Sequence, residues 1–150
     1  MSSRPTALTG GCQCGAIRYS LNISKDEQWP TNQPPLSTSA SYKEYDSSSN
    51  VYRSFCSSCG CSLTFNYKDK PEETDLYVGT LDEECLVGKK IPGSEKDTEH
   101  GVVTQREGGI GKECFESGVN FYCENAIHGI TDLGPGHKFY KMDQDGTAFA

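Results

Sequence analysis

Apolar and polar residues alternate in several short runs along the chain, and each run predicts a strand. Ile17, Tyr19 and Leu21 alternate with Ala16, Arg18 and Ser20. A period of two puts one set on a buried face and the other in water. Val51, Arg53 and Phe55 alternate with Tyr52 and Ser54, and Leu63, Phe65 and Tyr67 repeat the pattern. The runs Leu76 to Leu81, Val119 to Cys123 and Lys138 to Met142 predict three further strands. No helical period stands out. The pattern therefore predicts a mainly β fold of short strands joined by long loops.

Between these runs the chain changes character. Residues 1–10 read as a polar, frayed lead. Residues 24–50 are rich in serine and contain Pro30, Pro34 and Pro35, so they predict a long mobile loop with Trp29 as its one large anchor. Residues 82–117 are charged, and Gly108, Gly109 and Gly111 argue against regular structure there. The 150 residues fit one domain, 1–150.

Composition sharpens the problem. Leu, Ile, Val and Phe together make up about 17% of the chain, below the roughly 20% at which disorder becomes a concern. An ordinary core is too thin here, and the eight cysteines are the alternative source of order. The formal charge of −7 disfavours nucleic acid and anionic membranes as partners. No apolar run approaches the roughly 18 residues of a membrane span. The N-terminal residues lack the apolar stretch of a secretory signal, so the expected location is the cytoplasm, or the nucleus. Thiols stay reduced there, and grouped cysteines then bind metal more often than they pair.

Two groups stand out: Cys12-Gln13-Cys14-Gly15 and Cys56-Ser57-Ser58-Cys59-Gly60. Two thiolates a few residues apart must aim at one ion. The turn that aims them favours a following residue that tolerates positive φ, and glycine does so freely. Cys12, Cys14, Cys56 and Cys59 are thus expected to close one tetrahedral site. Zinc is the expected metal, because soft thiolates in that geometry favour it. A closed site of this kind is structural and not catalytic. A redox dithiol at Cys56 and Cys59 is the competing chemistry, but it would sit at a helix start, and here a strand follows. Cys61, two residues past Cys59, reads as a spare thiol near the metal or as a small buried side chain, while Cys85, Cys114 and Cys123 are isolated and His100, His128 and His137 read as surface residues.

These motifs resemble the glutathione-dependent formaldehyde-activating enzyme family, which includes centromere protein V. The resemblance rests on Gly11 to Tyr19, on Arg53 to Gly60 with Leu63 and Phe65, on Leu76 to Asp82, and on Phe121 to Ile127. It implies a tent-like fold of antiparallel sheets, a structural zinc on Cys12, Cys14, Cys56 and Cys59, and carbon–sulfur lyase activity on glutathione–carbonyl adducts. Glutathione or a small carbonyl or thiol metabolite would be the partner. The family's second, catalytic zinc is held by a C-x-C-x-x-C motif between the two pairs. This chain departs from the pattern there: no cysteine lies between Cys14 and Cys56. Catalytic residues are therefore not assignable. The open readings are a lyase by resemblance, a zinc-stapled binding or structural module without catalysis, and a diverged metabolite-tailoring enzyme using carboxylates such as Glu116, Glu124 or Asp132.

Overall fold

The computed structural model describes residues 5–24, 30, 36–116, 118–131 and 135–141. Trp29, Asp132 and Met142 lie outside the described residues. The chain divides into two compact units, Met1–Gly111 and Lys112–Ala150. The fold is mainly β, with antiparallel sheets and only short helices.

In the first unit, β1 (Ala7–Gly11) and β2 (Arg18–Asn22) form an antiparallel hairpin, with Gly11 opposite Arg18 at its tip. The alternation in β2 puts Tyr19 and Leu21 inside, and Leu8, Ile17 and Ile23 join them in the core. The strand β1 replaces the frayed lead expected from its sequence. Its glycines are packing residues and not turn residues: a Cβ on Gly10 would strike the Tyr19 hydroxyl and the Thr80 carbonyl.

Four strands form the larger sheet in the order β3 (Tyr42–Ser48), β4 (Val51–Cys56), β5 (Ser62–Tyr67) and β6 (Asp75–Leu76), each antiparallel to its neighbour. The strand β3 lies where the sequence predicts a loop over 24–50. It is an edge strand with no buried residue, so it carries no hydrophobic alternation to read. In β4 and β5 the strands fall where expected, but the alternating residues Phe55, Phe65 and Tyr67 are only half-buried. Ser54, Thr64 and Asn66 are buried, and they satisfy one another: Ser54 Oγ lies 2.6 Å from Thr64 Oγ1, and Asn66 Nδ2 donates to Thr64 Oγ1 at 2.7 Å. The opposite face keeps Phe55, Phe65 and Tyr67 half-buried. They are covered by edge-to-face contacts (Tyr45 on Phe55, Phe65 on Tyr67) and by Arg53 over the Phe65 ring at 4.7 Å. A bulge adds Leu63 to β5, between the pairs Ser54/Thr64 and Phe55/Ser62, and buries it fully.

The strand expected over Leu76 to Leu81 stops after Leu76. The Thr80 hydroxyl donates to the Tyr77 carbonyl at 2.7 Å and closes a tight turn over Val78–Thr80. The stretch 82–117 also departs from expectation, because it is built of short regular pieces. The helix α1 (Glu83–Val87) starts after Asp82, and two acidic residues in its first turn complement the helix dipole. The strands β7 (Lys89–Lys90) and β10 (Arg106–Glu107) pair with each other, as do β8 (Lys96–Thr98) and β9 (Gly101–Val103). None is long enough to show a period.

The second unit holds α2 (Gly111–Phe115), which begins at the boundary, and a two-residue parallel pairing of β11 (Val119–Asn120) with β12 (His137–Lys138). The longer strands expected here are cut short. Tyr122 adopts a left-handed φ of 57°, which ends extended backbone before Cys123. Phe121 and Phe139 stack with centroids 5.9 Å apart.

Candidate metal centre

Both cysteine pairs sit at hairpin tips of the first unit. Cys12 follows β1 and Cys14 lies in the turn before β2. Cys56 ends β4 and Cys59 lies in the turn before β5. The two turns are built alike. The Gly15 N–H donates to the Cys12 carbonyl at 3.1 Å, and the Gly60 N–H donates to the Cys56 carbonyl at 2.7 Å. The first turn is closed by the Cys12 N–H on the Ile17 carbonyl, the second by the Cys56 N–H on the Cys61 carbonyl, at 3.0 and 2.9 Å.

Gly15 and Gly60 have φ of 78° and 75°, as the sequence requires of them. Their left-handed backbone turns the next amide back onto the sulfur. The Ala16 amide thus favours the Cys14 thiolate and the Cys61 amide the Cys59 thiolate. The Ile17 N–H donates to Cys12 Sγ at 3.3 Å. Cys61, unassigned by sequence, therefore serves the site through its backbone. Its own thiol donates instead to the Ser62 carbonyl at 3.6 Å.

The two turns bring all four sulfurs within 4.8 Å of one another. Cys12 Sγ lies 3.5 Å from Cys14 Sγ, which lies 3.8 Å from Cys56 Sγ. A tetrahedral ion with sulfur at about 2.3 Å needs sulfurs about 3.8 Å apart. The four cysteines therefore fit a metal ion such as zinc, with no large movement. Cys12, Cys14, Cys56 and Cys59 are not paired in disulfides.

The electrostatics also call for a cation. Burial opposes ionisation of Cys12, but the Ile17 N–H and the neighbouring thiols outweigh it and bring its pKa down to about 6. Cys59 is lowered too, first by the Cys61 N–H. Cys14 moves the other way. The Ala16 N–H favours its thiolate, but crowding against Cys12, Cys59 and Cys56 pushes it up to about 12. Four thiolates at this spacing repel one another, and a divalent ion at their centre removes that penalty.

A strap that the sequence did not reveal ties the two turns together. The Ser39 hydroxyl donates to the Ala16 carbonyl at 3.0 Å. Two residues on, the Ser41 carbonyl accepts from the Ser57 N–H at 2.8 Å and from the Ser57 hydroxyl at 3.0 Å. Ser41 Oγ also meets Ser58 Oγ at 2.9 Å. Short serine-to-backbone bonds leave no periodic trace in a sequence, so composition alone made this segment read as loop.

The other candidates do not assemble a site. Among the described residues, no second group of three or more His, Cys, Asp or Glu side chains gathers at ligand distance. Cys85 is buried and packs on Thr9, whose N–H donates to its sulfur at 3.3 Å. Cys123 is buried, and its thiol donates to the Asn120 carbonyl. His100, His128 and His137 are exposed, as are Glu116 and Glu124. No helix among the described residues is long and apolar enough to cross a membrane. No family model matches the chain, and neither does any curated protein or solved structure.

Proposed function

We propose that this protein binds one zinc ion through Cys12, Cys14, Cys56 and Cys59, and that the ion is structural. The observation that carries the reading is the convergence of two glycine-terminated hairpin turns, which places four sulfurs at the spacing of a tetrahedral ion. Soft thiolates select zinc among the common divalent ions. All four positions are filled by protein sulfur, so no ligand site stays open on the metal. When bound, the ion supplies a cross-link between the β1–β2 and β4–β5 hairpins. A reducing compartment, the cytoplasm or nucleus, suits four clustered thiolates that hold a metal.

Resemblance to the glutathione-dependent formaldehyde-activating and centromere protein V family supports the same ligand set. It also brings carbon–sulfur lyase activity on glutathione–carbonyl adducts as a second reading. That chemistry needs an open thiolate-bound metal, and this chain has no three-cysteine motif between Cys14 and Cys56 to hold one. The favoured reading is therefore a zinc-stapled binding or structural module, with a small thiol or carbonyl metabolite as its candidate ligand. Incubation with glutathione and formaldehyde separates the two. The module reading predicts adduct formation at the uncatalysed rate, and acceleration by the purified protein would establish the lyase.

A further inference from the structure

The four ligand sulfurs are not equivalent. Cys12 and Cys56 are buried, at 5% and 0% exposure, whereas Cys14 and Cys59 are exposed. Each turn thus contributes one buried and one exposed cysteine. The two exposed ones lie on different hairpins, yet all four sulfurs are within 4.8 Å of one another.

From this asymmetry, and resting on the zinc reading above, we propose that Cys14 and Cys59 form a peroxide-sensitive pair: oxidation joins them in a disulfide, expels the metal and keeps the two hairpin turns covalently linked. The steps follow thiolate chemistry. The exposed thiolate of Cys14 or Cys59 attacks the peroxide. A sulfur–oxygen bond forms, the oxygen–oxygen bond breaks, and hydroxide leaves as water after taking a proton. The other exposed sulfur then attacks the sulfenic sulfur. The disulfide forms, the sulfur–oxygen bond breaks, and a second water leaves. Two thiolates are oxidised by two electrons and one peroxide is reduced. Cys12 and Cys56 each take up a proton, and the divalent ion departs.

Alternative pairings are disfavoured. A bond between Cys12 and Cys14 would close a ring across a single intervening residue and would strain a turn already fixed by the Gly15 and Ile17 amides. Cys56 is fully buried, so peroxide cannot reach it first, but its sulfur lies 3.8 Å from that of Cys14, and a Cys14–Cys56 link is the competing product the test separates. Cys61 is partly exposed beyond Cys59, but its thiol is held by the Ser62 carbonyl. The product would retain the cross-link that the metal had supplied, so loss of zinc need not unfold the chain.

The test uses the full-length chain as purified. Native mass spectrometry first counts zinc. One equivalent of hydrogen peroxide is then added, release is followed with a chromogenic chelator, and the disulfide is mapped in a non-reducing digest. The proposal predicts one zinc released per chain, a single link between the Cys14 and Cys59 peptides, recovery after dithiothreitol and zinc, and the same behaviour in Cys61→Ser. A chain that carries no zinc before peroxide overturns the zinc reading itself. A chain that carries one zinc and keeps it overturns only the redox pair. So does release with a link through Cys61, between Cys12 and Cys14, or between Cys14 and Cys56.

Discussion

Gly15 and Gly60 show how one backbone angle organises the centre. Each occupies left-handed space, and an added Cβ meets nothing within 4 Å at either position. A substitution there is therefore a test of conformation and not of packing. Gly15→Ala and Gly60→Ala should each cost about 1–2 kcal/mol, which weakens zinc binding by roughly 5- to 30-fold. Competition against a chelator of known affinity measures this, and unchanged affinity would show that the turns do not depend on positive φ. Both glycines were legible from sequence, because C-x-C-G and C-x-x-C-G state the chemistry in adjacent letters. Cys61 was not legible, because its contribution is a backbone amide and carbonyl that any residue would supply. Cys61→Ser should leave zinc affinity within about twofold of wild type, since by spacing rules its sulfur is not a ligand. The same competition assay reads that change.

At the level of elements, the β1–β2 hairpin is held to the segment around α1 by Asp82. Arg18 donates to both carboxylate oxygens, at 2.8 and 2.5 Å, and the Thr9 hydroxyl donates at 2.6 Å. The Asp82 N–H returns a bond to the Thr9 carbonyl at 2.9 Å. Arg18 is half exposed, so the pair is worth less than a buried one. Asp82→Asn should cost about 1 kcal/mol at neutral pH, judged by denaturant unfolding. The hydrogen bonds of Arg18 hold the Asp82 carboxyl below its usual range, against the opposing effect of burial, and Thr9 adds to them. A lowered folded-state value means the contribution is complete above about pH 4, the unfolded value. It is lost as pH falls through the folded value. The gap between wild type and Asp82→Asn should therefore close in acid. Both proteins carry the same cysteines, so acid loss of metal cancels in the difference. A gap that stays constant to low pH would rule out the ion pair as its source.

Strands with one wet and one apolar face were readable, as in β2, where Tyr19 and Leu21 point inward. Elements without that contrast were not. The strand β3 is wet on both faces, and β1 spends two of its five positions on glycines that let other backbone come close. In β4 and β5 alternation located the strands but not the buried side. Three small polar residues pair with one another beneath the sheet, while aromatic rings and Arg53 cover the other face. Mutual hydrogen bonding of Ser54, Thr64 and Asn66 is a tertiary fact that one-dimensional patterns do not carry.

For the molecule as a whole, a small apolar share would make the contribution of an ion bound by the four cysteines large. Structural zinc in small peptides contributes an apparent 10–16 kcal/mol or so at neutral pH, as large as the usual net stability of a whole domain, about 5–15 kcal/mol. Removing the ion with a strong chelator under reducing conditions should lower the melting temperature by more than about 10 °C. Restoring zinc should recover it, and a scan indifferent to chelation would place stability elsewhere. The cysteine clamp was the part of this architecture most visible in sequence, because it consists of short spacings. The serine strap of Ser39 and Ser41 was hidden, because its partners are distant in the chain.

The central claim is that one ion joins two hairpins through four sulfurs. Native mass spectrometry of the purified chain, alongside Cys12→Ser and Cys56→Ser, tests it most directly, with circular dichroism on the same samples. The account predicts one zinc per wild-type chain, and loss of both the zinc and the folded spectrum when either buried ligand is replaced. Either variant remaining folded with its metal count unchanged, or a wild-type chain that is folded and metal-free, would contradict it.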